Sequence, residues 1–137
     1  MARVLFVCKQ NAGRSQMSEA LFQRIALGRH ESRSAGTRPA THVHPVVVDV
    51  MRELDIDISR HRPQRLTDDL ARWADVVVTM GCGDECPYIP GKTYIDWDLP
   101  DPAGRSLETV RSIRDDIGRR VDDLARRLDQ ISPIPSS

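Results

Sequence analysis

The chain has 137 residues, close to the roughly 100 to 150 residues of one domain with a real core. Lys plus Arg and Asp plus Glu balance at 20 each, so overall charge gives no reason to expect nucleic acid or an anionic membrane as partner, and any anion must be caught locally. No apolar stretch reaches signal-peptide length or the about 20 residues of a membrane span, so a soluble, cytoplasmic protein is expected, and in that reducing compartment three cysteines read as catalytic, metal-binding or inert rather than as structural disulfides.

Val4-Leu5-Phe6-Val7 is a continuous apolar run, as in a central strand covered on both faces, and it ends near Cys8. From Ser15 onward Met17, Leu21 and Ile25 recur every four residues and predict a first helix, with Gly28 as its C-terminal stop. Ser32 to Gly36 reads as a short strand and Pro45 to Leu54 as a helix, and Thr67 as the N-cap of a helix running to Ala74. Val76-Val77-Val78 is the next buried strand and Thr93 to Trp97 the fourth. Val110, Ile113, Ile117, Val121, Leu124 and Leu128 repeat at three and four along a charge-laced final helix. Residues 132–137, with two prolines, are expected to fray, leaving one domain over 1–131. The alternation predicts an α/β fold, a four-stranded parallel sheet with helices on both faces, whose ligands bind outside the carboxyl ends of the strands, where Cys8 lies. Trp73 and Trp97 read as core or edge packing.

Cys8-Lys9-Gln10-Asn11-Ala12-Gly13-Arg14-Ser15 joins the first strand to the first helix. Inward N–H groups and the helix N-terminus can form a nest for a tetrahedral oxyanion, and Arg14 can add a bidentate clamp. Cys8 in that field is expected to be a thiolate, with Ser15 as a donor to it. A lone cysteine closing a strand is more often a buried small hydrophobe, but this context points to a nucleophile. Cysteine, five residues, arginine and serine between strand and helix resemble the signature of the low-molecular-weight tyrosine phosphatase superfamily, and the resemblance covers essentially the whole chain. Asn11 matches its loop asparagine, and Ser34-Ala35-Gly36-Thr37 resembles the segment that buttresses the loop.

Ester hydrolysis has no use for Cys82 and Cys86, which follow the third strand in Thr79-Met80-Gly81-Cys82-Gly83-Asp84-Glu85-Cys86-Pro87. The segment resembles the redox loop of thioredoxin-coupled arsenate reductases of that superfamily, with a shorter cysteine spacing than in the best-known bacterial members. Two other readings of the pair stay open: a zinc site completed by two of His30, His42, His44 and His61, and inert thiols. In Pro100-Asp101-Pro102-Ala103-Gly104, Asp101 matches the superfamily's proton donor to the leaving oxygen, while Ala103-Gly104 replaces the aromatic residues that receive a phenol ring.

The resemblance implies an arsenate reductase. Cys8 attacks arsenate, Cys82 attacks Cys8, arsenite leaves, and Cys86 passes the oxidation to a Cys82–Cys86 disulfide that thioredoxin reduces. Phosphate or sulfate would compete, and a monomer without bound cofactor is expected. Asn11, Glu19 and Ser34 match residues that bind a stabilising potassium ion in some members, although Arg62-Pro63-Gln64 stands where further polar ligands belong. The alternatives are a low-molecular-weight protein phosphatase, a reductase that uses mycothiol or glutathione with glutaredoxin, and a zinc or redox-sensing module.

Overall fold

The computed structural model describes residues 1–81 and 90–131. Strands β1 (Arg3–Cys8), β2 (Glu31–Gly36), β3 (Val76–Thr79) and β4 (Thr93–Asp96) alternate with helices α1 (Arg14–Ile25), α2 (Pro45–Arg52), α3 (Asp68–Trp73) and α4 (Leu107–Ile131). The strands form one sheet in the order β2-β1-β3-β4, with every neighbour parallel. β1 is interior, which is why its apolar run is continuous: Val4 to Val7 are all fully buried. The register sets Cys8 opposite Gly36, Val7 opposite Thr79 and Thr79 opposite Asp96. All four strands therefore finish along one edge, with Cys8 near its middle.

Side chains alternate across the sheet. Val4, Phe6, Val76 and Val78 face a large core closed by α1, α2 and α4, while Leu5, Val7 and Val77 face a smaller cluster with Leu66, Leu70 and Trp73. Helices thus cover both faces of a single domain, unequally. Phe6 meets Phe22 edge-on at 5.7 Å and Trp97 at 5.8 Å, so Trp97 belongs to the core. Trp73 lies at the edge beneath the guanidinium of Arg33.

Several element ends differ from the sequence expectation, each for a backbone reason. α1 stops at Ile25, before Gly28, because the Ala26 carbonyl takes the N–H groups of both Arg29 and His30 in a turn that holds Gly28 at φ 80°. α2 stops at Arg52 rather than Leu54, since Leu54 and Ile56 both fold back onto the Met51 carbonyl around Asp55 at φ 61°. Thr67 caps α3 as expected, its Oγ1 accepting from the Leu70 N–H at 3.2 Å. At the start of α4 Ser106 does the same for Thr109, a cap the apolar periodicity did not reveal. Among the described residues no helix is long and apolar enough to cross a membrane. The expected frayed tail at 132–137, and both Cys82 and Cys86, lie outside the described residues.

The residue after α2 ties that helix to α4. The Glu53 carboxylate accepts from Arg111 Nη2 at 2.6 Å and from Arg114 Nη1 at 2.7 Å. The Arg111 hydrogen bonds first, and then that of Arg114, hold the Glu53 carboxyl down at about 2. Below the ordinary 4.5 the unfolded chain takes up a proton that the folded chain refuses until about 2, so this contribution is present above 4.5 and lost as pH falls towards 2. Thermal melting followed from about pH 5 to about pH 2 is expected to fall more steeply for wild type than for Glu53→Gln. Parallel curves would show that the bridge contributes nothing.

Candidate active site

Every carbonyl of the loop between β1 and α1 is held from outside. The Cys8 carbonyl accepts from Thr37 N–H at 3.2 Å, Lys9 from Arg38 at 2.8 Å, Gln10 from Ala40 at 3.0 Å and Ala12 from His44 at 2.9 Å. The Asn11 carbonyl accepts from Gln16 Nε2 and that of Gly13 from the Met17 N–H inside α1. No carbonyl is left to oppose an anion. The loop can come this close to β2 because position 36 is glycine: a Cβ there would lie 2.7 Å from the Lys9 carbonyl oxygen and 2.9 Å from the Asn11 nitrogen. Asn11 itself takes φ 51°, a left-handed backbone that asparagine tolerates better than most residues.

The side chains around the sulfur are oriented through the Asn11 amide. Gln64 N–H reaches Asn11 Oδ1 at 2.9 Å, which fixes the amide so that Nδ2 donates to Ser15 Oγ at 2.7 Å. The Ser15 hydroxyl lies 2.9 Å from Cys8 Sγ and is able to donate to it. Asn11 N–H also reaches the sulfur, at 3.2 Å. Cys8 is buried, with the Asn11 N–H and the Ser15 hydroxyl both against its sulfur.

Arg14 lies beside it, with its side chain 10% exposed. Nη1 donates to the Leu99 carbonyl at 3.0 Å and Nη2 stands 4.0 Å from Asp101 Oδ2. Asp101 is half exposed, its Oδ1 receives Ala103 N–H, and the next residue, Pro102, packs directly over Gly13. The structure therefore brings Cys8, Asn11, Arg14, Ser15 and Asp101 to one strand-edge mouth: a thiol, a loop without opposing carbonyls, a planar cation and a half-exposed carboxyl.

The profile of the low molecular weight phosphotyrosine protein phosphatase family matches residues 3–132. The chain belongs to this family. Its relatives include a Halobacterium salinarum protein provisionally named an arsenate reductase, 44% identical over 93% of this chain and 92% of its own. A glutaredoxin arsenate reductase of Synechocystis is 35% identical over 93% of this chain and 99% of its own. Among solved structures, a thioredoxin-dependent arsenate reductase of Corynebacterium glutamicum superposes with a TM-score of 0.82 at 40% identity, covering 96% of this chain, which spans 63% of the length of that one. An arginine phosphatase of Geobacillus stearothermophilus superposes at 0.85 with 30% identity, covering 96% and 95%.

Behind the phosphatase-family loop, Asn11, Glu19 and Ser34 do come together, around a cavity of about 160 Å³ that Gln16, His61, Arg62 and Gln64 also line. The oxygens a potassium ion would need are already accepting N–H groups. Asn11 Oδ1 takes Gln16 Nε2 as well as Gln64 N–H, and the Ser34 carbonyl takes Gln64 Nε2 at 2.8 Å. The Glu19 carboxylate accepts from the hydroxyl and N–H of Ser34, and Arg62 brings a permanent cation to the same cavity. These residues do not fit a bare cation. Gln16 and the Leu99 carbonyl were not foreseen, because nothing in their local spacing marks them, and Gln64 was named only beside the cation site and not as a partner of Asn11. His30 sits between Ala2 N–H and Asp129 and His61 beside Gln16, while both cysteines of the zinc reading lie outside the described residues.

Two outcomes test this geometry. Arg14→Lys replaces a planar fork with a point charge and is expected to weaken inorganic phosphate binding about tenfold or more, the loss of about 1.5 kcal/mol for one charge-assisted hydrogen bond. Unchanged affinity would take Arg14 out of the site. Burial raises the Glu19 pKa, only partly offset by the Ser34 hydrogen bonds, so its stabilising contribution is present below 4.5 and lost as pH rises through the folded value. Glu19→Gln is expected to melt higher than wild type at neutral pH, with the gap closing in acid and unaltered when sodium replaces potassium; a wild-type advantage that appears only in potassium would restore the cation.

Proposed function

We propose that this chain reduces arsenate to arsenite, using Cys8 as nucleophile and a Cys8/Cys82/Cys86 relay recharged by thioredoxin. The observation that carries the reading is the position of Gly81: the backbone that continues into Cys82 lies directly against the Arg14 guanidinium. A second thiol one residue further on has a use in reduction and none in ester hydrolysis. The names of the relatives support the same substrate, and both thioredoxin and glutaredoxin occur among those names.

Arsenate enters the loop and is clamped by Arg14. The Cys8 thiolate attacks arsenic(V), a sulfur–arsenic bond forms, and Asp101 protonates the departing oxygen, which leaves as water. The Cys82 thiolate then attacks the Cys8 sulfur. The sulfur–arsenic bond breaks with its electron pair going to arsenic, so arsenite leaves as arsenic(III) and a Cys8–Cys82 disulfide remains. Cys86 attacks Cys82, releasing the Cys8 thiolate, and the Cys82–Cys86 disulfide is reduced by a thioredoxin dithiol, which ends as its own disulfide.

A phosphatase reading has one observation in its favour: the loop, Arg14 and Asp101 also suffice for phosphoryl transfer, and an arginine phosphatase shares the fold. Arsenate-dependent NADPH consumption is therefore compared with thioredoxin and its reductase, with glutathione and glutaredoxin, and against p-nitrophenyl phosphate cleavage. Thioredoxin-driven turnover is expected, with ester cleavage far slower. Fast ester cleavage without arsenite would establish the phosphatase. In the absence of dithiothreitol, Cys86→Ser is expected to release one arsenite per chain and stall as a Cys8–Cys82 disulfide, visible by non-reducing peptide mapping, whereas Cys82→Ser stops before arsenite appears. If both variants cycle normally with glutathione and glutaredoxin, the external thiol replaces the relay.

A further inference from the structure

β3 runs out through Met80, whose N–H donates to the Val7 carbonyl at 2.8 Å, and Gly81 follows at φ 81°. A Cβ at position 81 would lie 2.2 Å from Arg14 Nη1, 2.8 Å from Cζ and 3.0 Å from Nη2. The atoms it would strike are the working end of the side chain. They have little room to yield, because Nη1 is bonded to the Leu99 carbonyl and the Arg14 side chain is nine-tenths buried. A left-handed backbone by itself penalises any side chain with a Cβ. Gly28 carries the same backbone, φ 80°, with nothing within 4 Å of its Cβ position. Position 81 therefore combines that common penalty with a second, specific one, overlap with the guanidinium.

We propose that Gly81 is a positioning residue for oxyanion recognition: its missing side chain is the space in which the Arg14 fork lies flat, and any Cβ there drives the fork off the anion. The proposal rests on the reading of Arg14 as the clamp. It assigns Gly81 a task separate from the chemistry of Cys82 beside it, since anion affinity depends on the fork and not on the later thiols.

Inorganic phosphate binding, measured by calorimetry, together with thermal melting, tests this in wild type, Gly81→Ala, Gly28→Ala, Arg14→Ala and the Gly81→Ala/Arg14→Ala pair. Gly81→Ala is expected to weaken phosphate about tenfold or more, whereas Gly28→Ala stays within about twofold of wild type. The melting penalty of Gly81→Ala is expected to shrink to that of Gly28→Ala once Arg14 is truncated, because only the backbone penalty then remains. This second arm reads out even where Gly81→Ala is too unstable for calorimetry. Wild-type phosphate affinity in Gly81→Ala, or an equal melting penalty with and without the Arg14 side chain, overturns the proposal. Wild-type affinity in Arg14→Ala would instead overturn the clamp itself.

Discussion

The peptide groups from Cys8 to Gly13 could as easily turn carbonyls towards the sulfur as away from it. What decides the matter is the irregular passage of residues 37–44 beside the loop, whose N–H groups draw four of the carbonyls outward, while Gln16 and the first turn of α1 take the other two. A buried peptide carbonyl without a donor is costly, so the outward direction is strongly held. An anion site follows as the complement: once the acceptors are all engaged elsewhere, what the loop can still offer is positive. The sheet makes this possible by setting Gly36 opposite Cys8, which lets loop and neighbouring chain approach to hydrogen-bonding distance.

The same economy runs through the side chains. The Gln64 N–H and the Gln16 amide orient the Asn11 side chain, Asn11 donates to Ser15, and the Ser15 hydroxyl stands against the Cys8 sulfur. Asn11, Ser15 and Cys8 are buried, so the bonds among them are made in surroundings where leaving them unmade would be expensive. The cavity behind the loop is closed by the same logic. Amide groups of Gln16 and Gln64 supply, as neutral donors, the satisfaction of oxygens that a metal ion supplies as charge.

Much of this was legible in the sequence where periodicity or a tight motif spoke. The four strands, four helices and parallel order followed from apolar runs alternating with three-and-four repeats, and Thr67 was legible as a cap because a hydroxyl stood before an acidic first turn. Helix ends were less legible, because Asp55 and the turn after Ala26 stop α2 and α1 through backbone angles that no periodicity carries. In the site, Cys8, Arg14 and Ser15 stood out because they lie within eight consecutive residues of one loop. Gln64 and Leu99 did not, because they reach the loop only through the crossover connections of the sheet, 53 and 85 residues from the groups they bind. Gly81 was visible as a glycine but not as a neighbour of Arg14, a contact that exists only once β3 is laid beside β1.

Burial of the nucleophile sets the terms for how it is regenerated. Cys8 is 2% exposed at the end of a central strand, which suits a small tetrahedral ion and excludes the face of a folded reductant. Thiol–disulfide exchange needs a thiolate to reach one of the bonded sulfurs directly, so a disulfide left at Cys8 is within reach of another part of this chain or of a small thiol, but not of a protein dithiol. On the proposed reading, a thiol enclosed this way either meets a small-molecule reductant or passes its oxidation outward along its own chain. Gly81 lies against the Arg14 guanidinium and the sequence places two further thiols within five residues after it, so under the proposed relay the enclosure of Cys8 is the constraint that would give those thiols a purpose.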